Sequence, residues 1–110
     1  MRGMILAAGL GTRLAPLTDK TPKPLIEIGG EPLIVRQILQ LKEGGVSDIV
    51  INLHHLGELI FNRVGNGGEY GVQIQYSWEE SLLETGGGIK NALPLLGKEP
   101  FIILNLSLIH

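Results

Sequence analysis

The sequence predicts an α/β protein: a three-layer α/β/α arrangement around a parallel sheet with strand order 3-2-1-4. Two observations carry this. Short apolar runs alternate with segments of helical periodicity in a βαβαβαβ pattern, and most of those runs are apolar throughout, as in parallel strands covered on both faces. Right-handed crossovers, with a third strand that reads as peripheral, then put strand 1 in the middle of the sheet. A chain of 110 residues makes one such domain, spanning 1–110, and has no room for two.

Gly3-Met4-Ile5-Leu6-Ala7-Ala8 is the first strand, a continuous apolar run closed by Gly9. From Glu31 to Glu43 the apolar residues Ile34, Val35, Ile38, Leu39 and Leu41 form a helical stripe, with Pro32 near its start and Gly44-Gly45 stopping it. Asp48 to Leu53 is a second buried strand. Leu56, Leu59, Ile60 and Val64 mark a second helix ending at Gly65, followed by the turn Gly65-Asn66-Gly67-Gly68. Val72 to Tyr76 alternates apolar and polar residues, which suits a third strand at a sheet edge. Thr85 to Leu93 reads as a helix closed by Pro94, and Phe101-Ile102-Ile103-Leu104 as a fourth, apolar strand.

Composition narrows the partners. Nine basic against 11 acidic residues, a net charge of -2, give no footprint for nucleic acid or an anionic membrane. The absence of cysteine excludes a disulfide framework and any thiolate nucleophile or ligand, and agrees with a cytoplasmic location. No apolar run reaches the length of a membrane span, and the first residues lack a signal-peptide core. Glycine, at 16 residues, is the outlier, and its clusters direct the search for chemistry.

In such a sheet, ligands bind beyond the carboxyl ends of the strands where connections part, here between strands 1 and 4. That selects the loop after Ala8 and whatever follows Leu104. Gly9-Leu10-Gly11-Thr12-Arg13-Leu14 occupies the first place. Its glycines let backbone N–H groups approach an anion, and Arg13 can bridge phosphate oxygens; a plain strand-to-helix turn with a solvated arginine is the other reading. A dinucleotide fingerprint fails at Leu14 and at Asn52-Leu53, and the Gly-Lys-Ser/Thr of a Walker loop is absent. In Thr21-Pro22-Lys23-Pro24, two prolines restrain the backbone around one lysine, either to aim it at a phosphate or simply as a rigid loop. Asn52, His54 and His55 end strand 2 at the same edge, where a cap and a solvated histidine pair are the simple reading. Trp78 offers a ring that can stack on a base, and packing beside the third strand is the reading expected of it.

The run Ile5 to Leu14, then Pro16-Leu17-Thr18 and Thr21-Pro22-Lys23-Pro24-Leu25, resembles the signature of the sugar-1-phosphate nucleotidyltransferases, with both motifs at that family's spacing. The resemblance continues through Asn52, Leu83-Glu84-Thr85-Gly86-Gly87-Gly88-Ile89, Ala92 to Gly97 and Pro100-Phe101. The Glu-Thr-Gly-Gly-Gly stretch is most similar to the N-acetylmuramate-1-phosphate uridylyltransferase branch. Mannose-1-phosphate guanylyltransferases and glucose-1-phosphate thymidylyltransferases are its neighbours. The resemblance implies the N-terminal half of a Rossmann-like nucleotidyltransferase fold. It also implies transfer of a nucleotidyl group from a nucleoside triphosphate to a sugar 1-phosphate, releasing pyrophosphate. By that likeness Leu6, Ala7, Ala8, Gly9, Gly11, Thr12, Arg13, Glu84, Gly86 and Gly87 would bind the nucleotide. Arg13 would meet the departing pyrophosphate, and Lys23 the charge on the reacting phosphates.

The sequence leaves the family's pattern after strand 4. Where the family has Asn-Gly-Asp, with the Asp a Mg²⁺ ligand, this chain reads Asn105-Leu106-Ser107, and a serine hydroxyl is a poor replacement for a carboxylate toward a hard cation. Magnesium is the cofactor expected of the family, and its binding by this chain is doubtful. The expectation is a truncated copy with little or no turnover alone; a nucleotide-binding module without activity, or an oligomerising remnant, are the alternatives. Strand 4 would then present an apolar edge, which predicts a homodimer or swapped assembly through Phe101 to Ile109. The base and the sugar are not fixed by these residues.

Overall fold

The computed structural model describes residues 2–7, 23–54, 57–79, 85–97 and 100–105. The elements in chain order are β1 (Arg2–Leu6), β2 (Glu27–Ile28), β3 (Glu31–Pro32), α1 (Leu33–Glu43), β4 (Asp48–Leu53), α2 (Gly57–Val64), β5 (Gln73–Trp78), α3 (Thr85–Leu96) and β6 (Phe101–Asn105). Four strands form one sheet in the order β5-β4-β1-β6, all parallel, which is the 3-2-1-4 order expected from the sequence. Ile5 of β1 lies opposite Ile51 on one side and Leu104 on the other.

Alternation along the central strands sorts the core into two layers. Ile5, Ile49, Ile51 and Leu53 pack with Ile34, Ile38 and Leu41 of α1 and with Ile60 and Val64 of α2. Met4 and Val50 point the other way and meet Ala92 and Leu96 of α3. Successive strand side chains alternate faces, so an all-apolar strand needs helices on both. The two outer strands differ. On β5, Gln73 and Gln75 are exposed while Ile74 is buried. On β6, the adjacent Ile102 and Ile103 remain 40% and 39% exposed, so neither face of that edge is fully covered.

Several boundaries depart from the expectations. The first helix starts at Leu33 rather than Glu31, because residues 27–32 form a small hairpin, β2 against β3. Its turn residues, Gly29 and Gly30, both have positive φ (65° and 84°), the geometry of the two-residue hairpin turn. At the far end, Gly45 N–H donates to Lys42 O and Val46 N–H to Leu41 O, each at 2.9 Å, a paired closure that satisfies the last carbonyls of α1. The third helix does not end at Pro94; it runs to Leu96 with the proline inside. Proline removes the bond to the carbonyl of Lys90, and both residues are exposed, so water can serve that carbonyl. The stop is Gly97, at φ 79°. The third strand is Gln73–Trp78, extended past Tyr76, and its alternation breaks where α3 covers Ser77.

Candidate functional site

The carboxyl ends of β1, β4 and β5 and the first turn of α3 meet in one polar cluster. Asn52, the penultimate residue of β4, is 5% exposed, and its Oδ1 accepts the Ala7 N–H at 2.6 Å. Its Nδ2 donates to Glu79 Oε2 at 3.0 Å. Glu79 lies just beyond β5, is 6% exposed, and donates its own N–H to Leu53 O at 2.8 Å. His54 Nδ1 sits 2.9 Å from Glu79 O. A carbonyl only accepts, so Nδ1 donates this bond.

The α3 side closes the cluster. A Cβ on Gly88 would stand 3.0 Å from both Asn52 Nδ2 and Glu79 Oε2, so the helix backbone approaches the pair more closely than a side chain allows. One turn on, Asn91 Nδ2 donates to Ser77 Oγ at 3.0 Å and to Trp78 O at 3.4 Å, tying α3 to β5. Beside this edge the rings of Phe61, Tyr76 and Trp78 form a tilted group with centroids 5.1 to 6.4 Å apart. Trp78 therefore belongs to β5 and packs against these rings while staying half-exposed. Burial pushes the Tyr76 hydroxyl up to about 12, with nearby Tyr70 adding to the rise, and that hydroxyl donates to Gly65 O at 2.6 Å.

Of the residues singled out in the sequence, Leu6 and Ala7 end β1, and Gly86 and Gly87 lie in the first turn of α3. The end of β1 and that turn converge on Asn52 and, through it, on Glu79. Lys23 opens a short 3-10 turn, Lys23–Leu25, that packs against α1. Ala8, Gly9, Gly11, Thr12, Arg13, His55, Glu84 and Ser107 lie outside the described residues. Among the described residues Asn52 bonds Ala7 and Glu79 and no helix N–H, so it bridges two strands to the segment beyond a third. His54 is bound to a backbone carbonyl rather than freely solvated. Glu79 and Asn91 were not singled out. The placement of Glu79 directly after an edge strand, at the same end as Asn52, was the available signal.

Among the described residues no group of three or more His, Cys, Asp or Glu is placed to hold a metal ion. No helix among them is long and apolar enough to cross a membrane.

The family model described as nucleotidyl transferase matches residues 2–109. N-acetylmuramate alpha-1-phosphate uridylyltransferase of Neisseria meningitidis serogroup B is 53% identical over 106 residues, covering 96% of this chain and 46% of that protein. Mannose-1-phosphate guanyltransferase of Candida albicans is 44% identical over 112 aligned positions, covering 99% of this chain and 31% of its own length. The chain thus spans about half of the first relative and about a third of the second. Among solved structures, HddC from Yersinia pseudotuberculosis complexed with GMP-PN superposes with a TM-score of 0.83 at 34% identity, over 94% of this chain and 46% of HddC. A Bacillus anthracis structure described as a glucose-1-phosphate thymidylyltransferase, in complex with a sucrose, gives a TM-score of 0.88 at 29% identity, over 96% of this chain and 43% of that one.

Proposed function

The chain belongs to the nucleotidyl transferase family, and on that premise we propose that it holds the nucleoside triphosphate of a sugar-1-phosphate nucleotidyltransferase reaction. In that reaction an oxygen of the sugar 1-phosphate attacks the α-phosphorus, the bond to the β-phosphate breaks, and pyrophosphate leaves. Catalysis of this kind is mostly positioning and neutralisation of charge. The observation that carries the reading is the convergence of the end of β1 and the first turn of α3 on Asn52 and Glu79. In the sequence Ala7 stands two residues before Gly9-Leu10-Gly11-Thr12-Arg13, and Gly88 follows Glu84-Thr85-Gly86-Gly87, so the network joins the described residues that adjoin both motifs.

The roles follow from chemistry and likeness. Leu6, Ala7, Ala8, Glu84, Gly86 and Gly87 lie against the base and ribose; Gly9, Gly11 and Thr12 offer backbone N–H groups to the phosphates. Arg13 takes the pyrophosphate, and Lys23 the charge on the reacting phosphates. Identity with the Neisseria relative supports UTP as the triphosphate and N-acetylmuramate α-1-phosphate as the acceptor. A nucleoside triphosphate substrate and a chain without cysteine support a cytoplasmic location. Calorimetric titration with UTP, GTP and dTTP, with and without Mg²⁺, tests the binding, and pyrophosphate release with the acceptor tests the transfer. UTP binding tighter than the other two is expected; no binding of any of the three overturns the reading.

A second reading, binding without turnover, is favoured by the hydroxyl of Ser107 where the family carries a carboxylate. Binding without pyrophosphate release supports it, and release by this chain alone overturns it. We propose as well that two copies associate along β6, where Ile102 and Ile103 stay exposed on opposite faces of an edge strand. A dimer by light scattering is expected; a monomer at high concentration removes the idea.

A further inference from the structure

We infer that Asn52 and Glu79 are a positioning pair for the triphosphate site, a role that rests on the function proposed above. The argument is one of donor and acceptor polarity. A carboxamide presents one accepting and one donating end, and it can flip. The Ala7 N–H can only donate and a carboxylate only accepts, so Asn52 has a single satisfied orientation: Oδ1 to Ala7, Nδ2 to Glu79. Glu79 thereby fixes the amide that fixes the last described residue before the glycine-rich segment. Glu79 is held in turn through its backbone, by Leu53 O at 2.8 Å and by His54 Nδ1 at 2.9 Å.

The same pair limits how closely α3 approaches. With only 3.0 Å between a Cβ at Gly88 and either polar atom, the first turn of α3 rests on Asn52 and Glu79. Two segments far apart in sequence are therefore gauged against one buried amide. A phosphate cradle made of backbone N–H groups depends on such gauging, because its donors cannot adjust one at a time as side chains do. Asn52 and Glu79 need touch no ligand to act; they set the direction in which the chain leaves β1 and the height of the opposite wall.

The test inverts the polarity. Asn52→Asp keeps the acceptor for Ala7 but sets a carboxylate against Glu79, and an orphaned buried partner costs enough to weaken UTP binding by about tenfold or more. Adding Glu79→Gln supplies a donor to the new carboxylate, and the double variant is expected to regain affinity to within about threefold of the parent chain. Glu79→Gln alone, whose amide can still turn its oxygen to Asn52, is expected to lose only a few-fold. Affinity is read by calorimetry on each variant, beside its thermal midpoint by circular dichroism. A merely structural role makes affinity follow the midpoint; a positioning role makes it follow the donor–acceptor pattern, with recovery in the double variant. If Asn52→Asp does not fold, the comparison of Glu79→Gln, the double variant and the parent decides. Equal affinities throughout, with the parent binding UTP, overturn the pair's role and leave the proposed function standing. A parent chain that binds no triphosphate overturns both.

Discussion

Gly88→Ala places a methyl group at the tightest point of the cluster. Two effects oppose each other. Replacing glycine by alanine inside a helix stabilises by about 1 kcal/mol through propensity and the unfolded chain. Against this, the new Cβ would lie 3.0 Å from Asn52 Nδ2 and from Glu79 Oε2, where ordinary contacts begin near ~3.5 Å. Neither neighbour is the loose end of a flexible side chain. Each is buried and hydrogen-bonded, so relief means lengthening the Asn52–Glu79 bond or lifting α3 off the sheet. Overpacking of this kind costs about 1–3 kcal/mol. The net expectation is a loss of about 1 kcal/mol, or about 4 °C in the thermal midpoint of a domain this size. Gly44→Ala is the control: its Cβ meets only Leu41 O at 3.5 Å and Gln40 O at 3.7 Å, and it should be neutral or slightly stabilising. Melting is followed by the emission of Trp78, the single tryptophan, and UTP affinity by calorimetry. Affinity in Gly88→Ala should fall with the displaced pair. A raised midpoint with unchanged affinity would refute the reasoning, because it would mean that the helix wall moves freely.

Three further outcomes are expected. Gly67→Ala meets Val72 O, Val72 Cγ2 and Ile74 Cγ1, each at 2.8 Å, with φ +86°, whereas Gly45→Ala, at φ +90°, has nothing within 4 Å. Both pay about 1–2 kcal/mol for the left-handed backbone, so urea titration should show Gly67→Ala as the costlier by a further ~1–3 kcal/mol. Tyr76 keeps its proton more firmly in the folded chain, so its contribution is complete below pH 10.0 and is lost as pH rises toward about 12. Solvent screening of this half-buried group reduces that contribution to about 1 kcal/mol. Tyr76→Phe should flatten this part of the alkaline slope in urea titrations, and an unchanged slope would remove Tyr76 as its source. Arg13→Ala should weaken triphosphate binding by about tenfold or more, as loss of a charge-assisted contact does; an unaltered affinity would take Arg13 out of the site.

The parallel sheet was legible because strands covered on both faces leave uninterrupted apolar runs, as in Met4-Ile5-Leu6 and Ile49-Val50-Ile51, and its order because right-handed crossovers and the alternating third strand put strand 1 in the middle. What escaped was decided by contacts between segments distant in the chain. Residues 27–32 look like an approach to a helix until Gly29-Gly30 is seen as a hairpin turn, and that hairpin moves the start of α1. Pro94 reads as a stop, yet it occupies the solvent side of α3, where a missing hydrogen bond is cheap. Asn52 was visible as a polar residue closing an apolar strand, but its partners, Ala7 and Glu79, lie 45 and 27 residues away. No local pattern pairs them.

Burying an asparagine and a glutamate at the end of an apolar sheet is a poor way to gain stability. A polar group taken out of water recovers its desolvation cost only when hydrogen-bonded, and the net return is about 1 kcal/mol per bond. An apolar pair of similar volume could fill the same space. It would leave the Ala7 N–H unpaired, however, and would place no directional constraint on the chain leaving β1. It would also accept α3 at a range of heights, since dispersion contacts have shallow minima. Asn52 and Glu79 do what packing cannot, which is to hold two backbone segments in a fixed relation through bonds that have a direction. On the positioning role proposed above, that fixed relation serves a ligand recognised by backbone groups, and the buried polar residues Asn52, Ser77 and Glu79 stand at the carboxyl ends of β4 and β5.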